Sequence, residues 1–388
     1  MKLISFKEGL FPELASLRRD IHSHPEFGFE ETRTAGRVAA LLKAYGLDVT
    51  TGVGGTGVVG TLRKGSGSRS IILRADMDAL QICEAPSDVK PHVSSINGLM
   101  HACGHDGHTA MLLGAAQVLA QQGSFDGTVH FVFQPAEEWG KGMLAMLDDG
   151  LLDRFPASEA YGLHNMPGIP VGKFETCPGP FKSAEDNFTI TVRGKGAHSA
   201  RPHWGRDALV AAAAVITALQ TIVSRVIVPG EQTVVTCTDI KVSGTRNVSC
   251  GEATISGDCR SFSPQVSAQI EGEMRRIATN VAEAHGCTAQ IEYTREFVPT
   301  VNDPQLTREV AHIIEEVFGA ESIDVEARPN SGSEDFGQLL RKIPGCYLNI
   351  GNGDTAALHN PAYDFNDQAI PYGVRFFVAV AQARLACV

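Results

Sequence analysis

The sequence lacks several features that would place it in a specialised class of protein. It contains no uninterrupted apolar run of about 20 residues, the length that a membrane-spanning helix needs. The N-terminal segment, MKLISFKEGLFPELASLRRD, is interrupted by Lys2, Lys7, Glu8 and Glu13, which leaves no apolar core for a signal peptide. We therefore expect a cytoplasmic protein that has no membrane partner.

Blocks of positive charge are missing as well. The chain has 33 Lys and Arg against 44 Asp and Glu, and its net charge of -11 is dispersed rather than gathered in a tail. Nucleic acid is therefore not expected as a partner. The nine cysteines, an odd number at irregular spacing, do not have the pattern of a disulfide framework. Most are expected to be small buried apolar residues.

The length and composition indicate two globular domains. At 388 residues the chain exceeds the size at which a single core usually stops growing. Its 43% hydrophobic and 20% charged residues are typical of globular proteins.

The first half of the chain predicts an α/β fold. Helical patterns such as ETRTAGRVAALLKAYG alternate with short apolar runs such as SIILRA and GTVHFVF. This alternation predicts a mixed, largely parallel sheet that carries helices on both faces. Ligands bind such sheets at the carboxyl ends of the strands, so we look there for chemistry.

The segment from 183 to 297 has a different pattern. NFTITVRG, QTVVTCTDI, ATISGDCR and TAQIEYTR alternate as strands, and the helical stretches DALVAAAAVITALQTIV and SAQIEGEMRRIATNVAEAH separate them. The order predicts an inserted α+β domain with a four-stranded antiparallel sheet and two helices. Residues 1–182 and 298–388 would then form a discontinuous catalytic domain.

Two segments carry side chains that suit metal binding, one before an apolar helix and one after an apolar strand. In HACGHDGHTAMLLGAAQVLA, an extended loop would place Cys103 and His105 on one face, and a thiolate with an imidazole suits Zn²⁺. In FVFQPAEEWG, the neighbours Glu137 and Glu138 suit a division between metal binding and proton transfer. The alternatives are a buried cysteine among capping residues and an acidic solvated turn.

Two further segments, EAYGLHNMP and GNGDTAALHNPAYDFND, each place one histidine just beyond an apolar strand. These are His164 and His359. A lone histidine is more often structural than a ligand. However, four strand-end segments that together supply Cys, His, Glu, His and His favour a metal site.

The whole chain resembles the amidohydrolase family that contains hippurate hydrolases, bacterial aminoacylases and plant auxin-conjugate hydrolases. The motifs that carry the resemblance occur in the family's order: RRDIHSHPE, RADMDAL, MHACGHDGHTAMLLGAA, FQPAEE, GLHN, GKGAHSARPH, GSEDF and LHNPAYDFND. The resemblance implies a zinc-exopeptidase-like catalytic domain with two divalent ions, either zinc, manganese, cobalt or nickel. It implies as their ligands Cys103, which would bridge them, His105, Glu138, His164 and His359.

The resemblance also implies roles for residues around the metals. Glu137 would be the general base and general acid, and Asp76 and Asp78 would orient ligands through hydrogen bonds. Arg74 stands where related metallopeptidases often have a metal-binding histidine, and His105 would compensate. We expect a structural or ligand-orienting role for His22 and His24.

In the inserted domain, His198 resembles the family's transition-state stabiliser. Asn247, Arg260, Gly332 and Ser333 occupy positions that resemble its substrate-binding residues. The guanidinium of Arg260 would pair with the α-carboxylate of an N-acyl amino acid, and the alternative for this residue is a surface salt bridge. The resemblance further implies that this domain joins two chains in a homodimer.

These features predict a metal-dependent hydrolase of N-acyl amino acids, whose preferred acyl group the sequence does not identify. A dipeptidase or aminopeptidase on the same scaffold is the nearest alternative. A metal-stabilised binding protein without turnover is a second alternative, against which Glu137 and His198 argue, because a closed structural zinc site needs no base.

Overall fold

A computed structural model describes residues 6–86, Lys90 and residues 92–387, which divide into two compact units. The first unit comprises the chain up to Phe181, Thr300–Arg328 and the chain from Asp335 onward, and the second comprises Lys182–Pro299 and Pro329–Glu334. The sequence had suggested that Pro329–Glu334 lies in the first domain. This segment instead joins the second unit, where Ser183 N donates to Gly332 O at 3.1 Å and Ser183 Oγ donates to Ser331 O at 2.7 Å.

The first part of the chain alternates helices with strands. Its elements are α1 (Leu10–His22), α2 (Thr32–Ala44), β1 (Asp48–Val53), β2 (Gly57–Lys64), β3 (Ser70–Asp76), α3 (His105–Gln122), β4 (Gly127–Gln134), a 3-10 helix (Glu137–Trp139), α4 (Gly142–Asp148), α5 (Leu151–Arg154), β5 (Glu159–Pro167), β6 (Phe174–Glu175) and β7 (Gly179–Lys182). Helix α3 is apolar on nearly all sides and is almost entirely buried, as expected for a helix within a core.

The middle part of the chain has the predicted order of strand, helix, strand, strand, helix and strand. Its elements are β8 (Ala184–Arg193), α6 (Ala208–Thr221), a π-helical turn (Ile222–Val226), β9 (Val234–Val242), β10 (Glu252–Ser261), α7 (Pro264–Ala284) and β11 (Thr288–Phe297). The strands form an antiparallel sheet in the order β11-β8-β10-β9. Burial alternates along β8 and β10, which gives this sheet one apolar face, and α6 and α7 pack on the same core.

The last part of the chain completes the large sheet. Its elements are β12 (Thr300–Asn302), α8 (Pro304–Phe318), β13 (Ile323–Asp324), α9 (Phe336–Leu340), β14 (Gly345–Gly353) and α10 (Ile370–Arg384). The eight strands lie in the order β1-β2-β4-β3-β5-β14-β6-β13, and β12 pairs separately with β7. The central strands β4, β3, β5 and β14 are parallel, so their carboxyl ends meet at one edge. The predicted fold class is confirmed.

One helical stretch corrects the expectation that no segment is long and apolar enough to cross a membrane. By length and composition alone Ala208–Val226 meets that requirement, and 28% of its most apolar window is buried. Ala211, Val215 and Leu219 of this stretch are buried in the core of the second unit. Packing within the second unit therefore accounts for part of the apolar surface of this helix.

Candidate metal centre

The predicted ligands Cys103 and His105 lie at the start of helix α3, which follows from an unusual turn at Gly104. The backbone there is left-handed, with φ of 91°, and a Cβ at this position would lie 2.3 Å from Asn165 Oδ1. His105 is the first residue of the helix. The extended loop that the sequence suggested is therefore wrong, and the glycine turn is what brings the two side chains onto one site.

The ring of His105 is held by the loop after β3. Its Nδ1 lies 2.9 Å from Asp78 O and 3.1 Å from Asp78 Oδ1, so Nδ1 donates to Asp78 and Nε2 is the ring nitrogen left for a metal ion. Burial by itself lowers the pKa of His105, but Asp76, Asp78 and Glu138 together raise it to about 10. This excess of negative charge around the ring is what a bound cation would neutralise.

His164 reaches the same point from the neighbouring strand. It lies within β5, whereas the sequence had suggested a position beyond the strand. Its Nδ1 donates to Asn165 O at 2.6 Å, and its Nε2 lies 3.3 Å from Cys103 Sγ. As with His105, the backbone contact selects the tautomer whose Nε2 faces the other ligands.

Glu138 and His359 approach Cys103 from the other side. Glu138 lies in the 3-10 helix after β4, where its N–H donates to Asp78 Oδ2 at 3.0 Å. His359 lies beyond β14 in a left-handed conformation, and its N–H donates to Ala102 O at 2.9 Å. The Nε2 of His359 is 3.5 Å from Glu138 Oε1.

The five predicted ligands form two groups that overlap only at the thiol. Cys103, His105 and His164 form one group, and Cys103, Glu138 and His359 form the other, with all ligand atoms in each group within 4.8 Å of one another. His105 Nε2 and Glu138 Oε1 are buried without a hydrogen-bond partner among the described residues. A thiol, imidazoles and a carboxylate that converge in this way are donors that suit divalent ions such as Zn²⁺.

The thiol of Cys103 is poorly suited to ionise on its own. Burial raises its pKa well above the usual value, and the neighbouring carboxylates of Glu138 and Glu137 raise it further. Because metal ligands bind as thiolates, the site would need the charge of its cations to hold Cys103 deprotonated.

Glu137 precedes Glu138 in the same 3-10 helix and is buried. Its Oε2 lies 3.9 Å from His105 Nε2. The turn is set by Ala136, a residue with φ of 47° in the left-handed region. One short turn thus presents two carboxylates to the same centre. Glu138 is grouped with Cys103 and His359, and Glu137 lies beside His105.

The motifs also contain side chains whose role the sequence did not reveal. His108 Nδ1 lies 2.6 Å from Asp76 Oδ1, and its Nε2 accepts from Asn165 N at 3.0 Å. Both ring nitrogens are therefore engaged, and His108 supports the site rather than binding metal. The only sequence signal is its spacing of three residues from His105, which places both on one face of α3.

Arg74 is not a ligand either. It is buried, and it donates Nε to Gln134 Oε1 at 2.8 Å, Nη1 to Asp76 Oδ2 at 2.7 Å and Nη2 to Asp335 Oδ1 at 3.0 Å. This guanidinium joins the ends of β3 and β4 to the start of α9. Similarly, His22 Nδ1 contacts Asp106 Oδ2 at 2.8 Å, deep in the same unit.

The remaining predicted residues belong to the second unit. His198 lies in an exposed loop, and its Nδ1 accepts from Ala200 N at 3.1 Å, so in the neutral ring the proton is on Nε2. The exposed Asn247 helps to hold this loop through its backbone, because its carbonyl oxygen accepts from Ser199 N at 3.0 Å. In the neutral ring, the hydrogen-bond donor of His198 is thus its Nε2–H group.

Arg260 is engaged within the same unit. Its Nη1 lies 2.6 Å from Glu185 Oε2 and 2.7 Å from Ser333 Oγ, and its Nε lies 2.7 Å from Asp258 Oδ2. Gly332 precedes Ser333 and donates its N–H to Asn330 Oδ1 at 2.7 Å. The contacts include the salt bridges that were the alternative for Arg260, while its link to Ser333 joins two of the predicted substrate-binding positions.

Comparison with known proteins decides the family. The model of "Peptidase family M20/M25/M40" matches residues 72–383. This chain belongs to that peptidase family. The hippurate hydrolase of Campylobacter jejuni is 35% identical, with 98% of this chain and 99% of the relative covered, and the N-acetylcysteine deacetylase of Bacillus subtilis is 33% identical, with 95% and 96% covered. The structure of the Bacillus subtilis YXEP protein, described as a dinuclear metal binding peptidase from the M20 family, has a TM-score of 0.86 at 29% identity and covers 98% of this chain and 100% of that one.

Membership in the M20 family confirms the class of enzyme expected from the motifs. The chain is a metal-binding hydrolase of amide bonds, and the candidate ligand groups lie in the first unit.

Proposed function

We propose that this M20 enzyme hydrolyses the amide bond of small N-acyl amino acids to a carboxylic acid and a free amino acid. The observation that carries the proposal is the pair of ligand groups that share the Cys103 thiol, with Glu137 beside them. Relatives named for the hydrolysis of hippurate and the deacetylation of N-acetylcysteine support this substrate class.

The residues of the first unit have two roles, metal binding and proton transfer. Cys103, His105, Glu138, His164 and His359 would hold two divalent ions. When bound, such ions lower the pKa of water and polarise an amide carbonyl. Glu137 takes a proton from the attacking water and returns it to the leaving nitrogen, for which its buried position beside His105 suits it.

The residues of the second unit bind and stabilise the substrate. His198 Nε2–H donates to the oxyanion that forms as the amide carbonyl is attacked, and the contact between Nδ1 and Ala200 N keeps the proton on that side of the ring. Arg260 pairs with the substrate α-carboxylate, with Asn247, Gly332 and Ser333 completing this subsite. The contact from Arg260 to Ser333 supports their joint role.

A substrate panel tests the proposal. The enzyme is loaded separately with zinc, manganese, cobalt or nickel, its metal content is measured, and it is assayed with acetyl-, benzoyl- and indoleacetyl-amino acids against matched dipeptides. We expect the acyl amino acids to have kcat/KM at least about tenfold higher than the dipeptides, a difference of about 1.4 kcal/mol in transition-state binding. The reverse preference would favour a dipeptidase, and bound metal without any turnover would favour a binding protein.

We also propose that the enzyme is a homodimer joined through the second unit. Strand β9 is an edge strand of its sheet, and the exposed side chains along it include Val242, which is 46% accessible. On α6, Val210 is 53% accessible. An apolar edge strand and an apolar helix invite pairing with a second copy.

In such a dimer His198 would act in the site of the partner chain. The test mixes His198→Ala with Glu137→Gln under conditions that exchange subunits. Each mixed dimer then has one site with both residues intact, so part of the lost activity returns. No recovery despite proven exchange would mean that His198 serves its own chain or none. We further propose a cytoplasmic enzyme of small molecules without a nucleic acid or membrane partner. The dispersed acidic charge, without a Lys- or Arg-rich block, supports the part of this proposal that concerns nucleic acid.

A further inference from the structure

Glu31 is a buried carboxylate outside the proposed metal centre and has an unexplained position. It directly precedes α2, at the position whose side chain often caps a helix, yet its side chain makes no capping hydrogen bond in the described structure. Glu26 performs that task, because its carboxylate accepts from Arg33 N and Thr34 N, each at 2.7 Å. Burial of a carboxylate is costly unless its oxygens are hydrogen-bonded, so the contacts of Glu31 identify what it does.

Those contacts lead to the turn that carries the two site glutamates. Glu31 Oε1 accepts from Ala136 N at 2.8 Å, and Glu31 Oε2 accepts from the hydroxyl of Thr56. Ala136 is the residue immediately before Glu137. The backbone shortly before Glu31 also approaches this turn closely, because a Cβ at Gly28 would lie 3.0 Å from Ala136 Cβ.

Ala136 adopts a conformation that its own side chain disfavours. Its φ of 47° and ψ of 44° lie in the left-handed region, where residues other than glycine are uncommon because Cβ crowds the following carbonyl. Such a conformation persists only where surrounding contacts hold it. On one side Gly142 N donates to Ala136 O at 3.1 Å, and on the other side Glu31 accepts from Ala136 N.

We infer that Glu31 is a positioning residue that holds Ala136 in the left-handed conformation and thereby aims the Glu137 carboxylate at the reacting groups. The inference rests on the proposed role of Glu137 as general base. The hydrogen-bond acceptor, and not the negative charge, is the property of Glu31 that the turn requires. Thr56 contributes by fixing the second oxygen of the same carboxylate.

Two substitutions at this position separate the acceptor from the charge. Glu31→Leu keeps the approximate volume but leaves Ala136 N without an acceptor, and we expect kcat to fall about 10- to 100-fold with KM and metal content unchanged, as for a base displaced by a fraction of an ångström. Glu31→Gln keeps an acceptor oxygen, and we expect kcat within about threefold of the wild type. Equal losses in both variants would show that the charge is what matters and would overturn the inference.

The matched control is Glu26→Leu. It removes two backbone hydrogen bonds from the same loop, but they belong to α2 and not to the turn at Ala136. We expect lower thermal stability with unchanged kcat. A loss of kcat equal to that of Glu31→Leu would mean that any disturbance of this loop affects the reaction, and the specific role of Glu31 would be rejected.

A second test relieves the strain that Glu31 is inferred to restrain. Ala136→Gly removes the Cβ, so the left-handed conformation no longer needs support. In the double variant Glu31→Leu with Ala136→Gly, we expect kcat to recover at least about threefold over Glu31→Leu alone, since glycine adopts this conformation readily. No recovery would contradict the inference.

Further measurements keep the outcomes distinct. If Glu31→Leu does not fold, Thr56→Val tests the same contact, with an expected loss of about threefold in kcat at constant KM, and an unchanged kcat there would overturn the inference. Loss of metal from a folded Glu31→Leu variant would show a role in the metal centre instead. If Glu137→Gln is inactive while Glu31→Leu is fully active, only the positioning role fails, whereas an active Glu137→Gln would remove the proposed base itself.

Discussion

The first unit buries charged side chains around its candidate metal centre, whereas the second unit buries mainly apolar ones. Arg18 and Asp106 are both inaccessible and pair at 3.3 Å, and Arg74 pairs with Asp335 at 3.0 Å. The core of the second unit is instead built from residues such as Ile190 at the centre of β8. Both units have an apolar core, but only the first combines that core with a set of buried ion pairs next to its candidate metal centre.

The two units are expected to lose stability through different kinds of substitution. A buried ion pair adds little net stability, but removal of one partner leaves an uncompensated charge and is strongly destabilising. An apolar core loses stability in proportion to the volume that is removed. We therefore expect the first unit to respond to changes of charge, metal and pH, and the second unit to respond to changes of side-chain size.

The largest expected effect is the loss of both metal and activity in Cys103→Ala. The thiol is the one atom that both ligand groups share, so its removal breaks both. Elemental analysis with an activity assay measures the outcome. The matched control is Cys287→Ala, which removes a buried thiol from the second core and should keep both properties. Two ions per chain in an active Cys103→Ala variant would remove this residue from the site.

The next effect separates proton transfer from metal binding. Glu137→Gln should keep its metals and lose about 10²- to 10⁴-fold in kcat, the usual contribution of a general acid-base group. Steady-state kinetics on metal-replete enzyme measures it. A nearly normal kcat would show that another group moves the proton. The predicted division of roles between Glu137 and Glu138 would then be wrong.

The apolar core of the second unit allows the reverse test. Ile190→Ala should lower the free energy of unfolding by about 2 to 5 kcal/mol, and Ile190→Val by about 0.5 to 1.5 kcal/mol, because each leaves a cavity in proportion to the atoms removed. Denaturant titration measures both. Metal content should stay constant below the unfolding transition. A loss of metal in the folded variants would show that the second core also maintains the metal centre.

The last expected effect appears only in acid and is a pH dependence from His130 of β4. Burial lowers the pKa of this side chain to about 4, so it is neutral in the folded protein, whereas the unfolded chain takes up a proton near its ordinary value of 6.5. Stability is therefore complete above about pH 6.5 and decreases as the pH falls towards 4, by up to about 3 kcal/mol. The unfolding free energy of wild type minus that of His130→Gln, measured from pH 7 to pH 4, isolates this change. A pH-independent difference would contradict it.

Features with a local sequence signal could be predicted. The alternation of β8 and β10 and the helical spacing of α6 and α7 follow from which side chains face a core, and a single strand or helix reveals this pattern. Glu138 and His164 stand just after or within apolar strands, which made them candidates for a common edge.

Features that depend on distant partners could not be predicted. Arg18 lies 88 residues before Asp106, and only the folded chain brings these charges together. The left-handed turns at Gly104 and Ala136 likewise depend on Asn165 and Glu31, which approach from elsewhere. For that reason the spacing of Cys103 and His105 suggested an extended loop, which the glycine turn and the start of α3 replace.

The two tryptophans give each unit its own optical probe. Trp139 follows Glu138 in the 3-10 helix, contacts the ring of Phe27 and is 44% accessible, whereas Trp204 lies in the second unit beneath the guanidinium of Arg201 and is 54% accessible. These are the only indole rings in the chain. Replacement of either one by phenylalanine leaves a single fluorophore, so emission can follow metal uptake at one unit or changes in the His198 loop at the other without an added label.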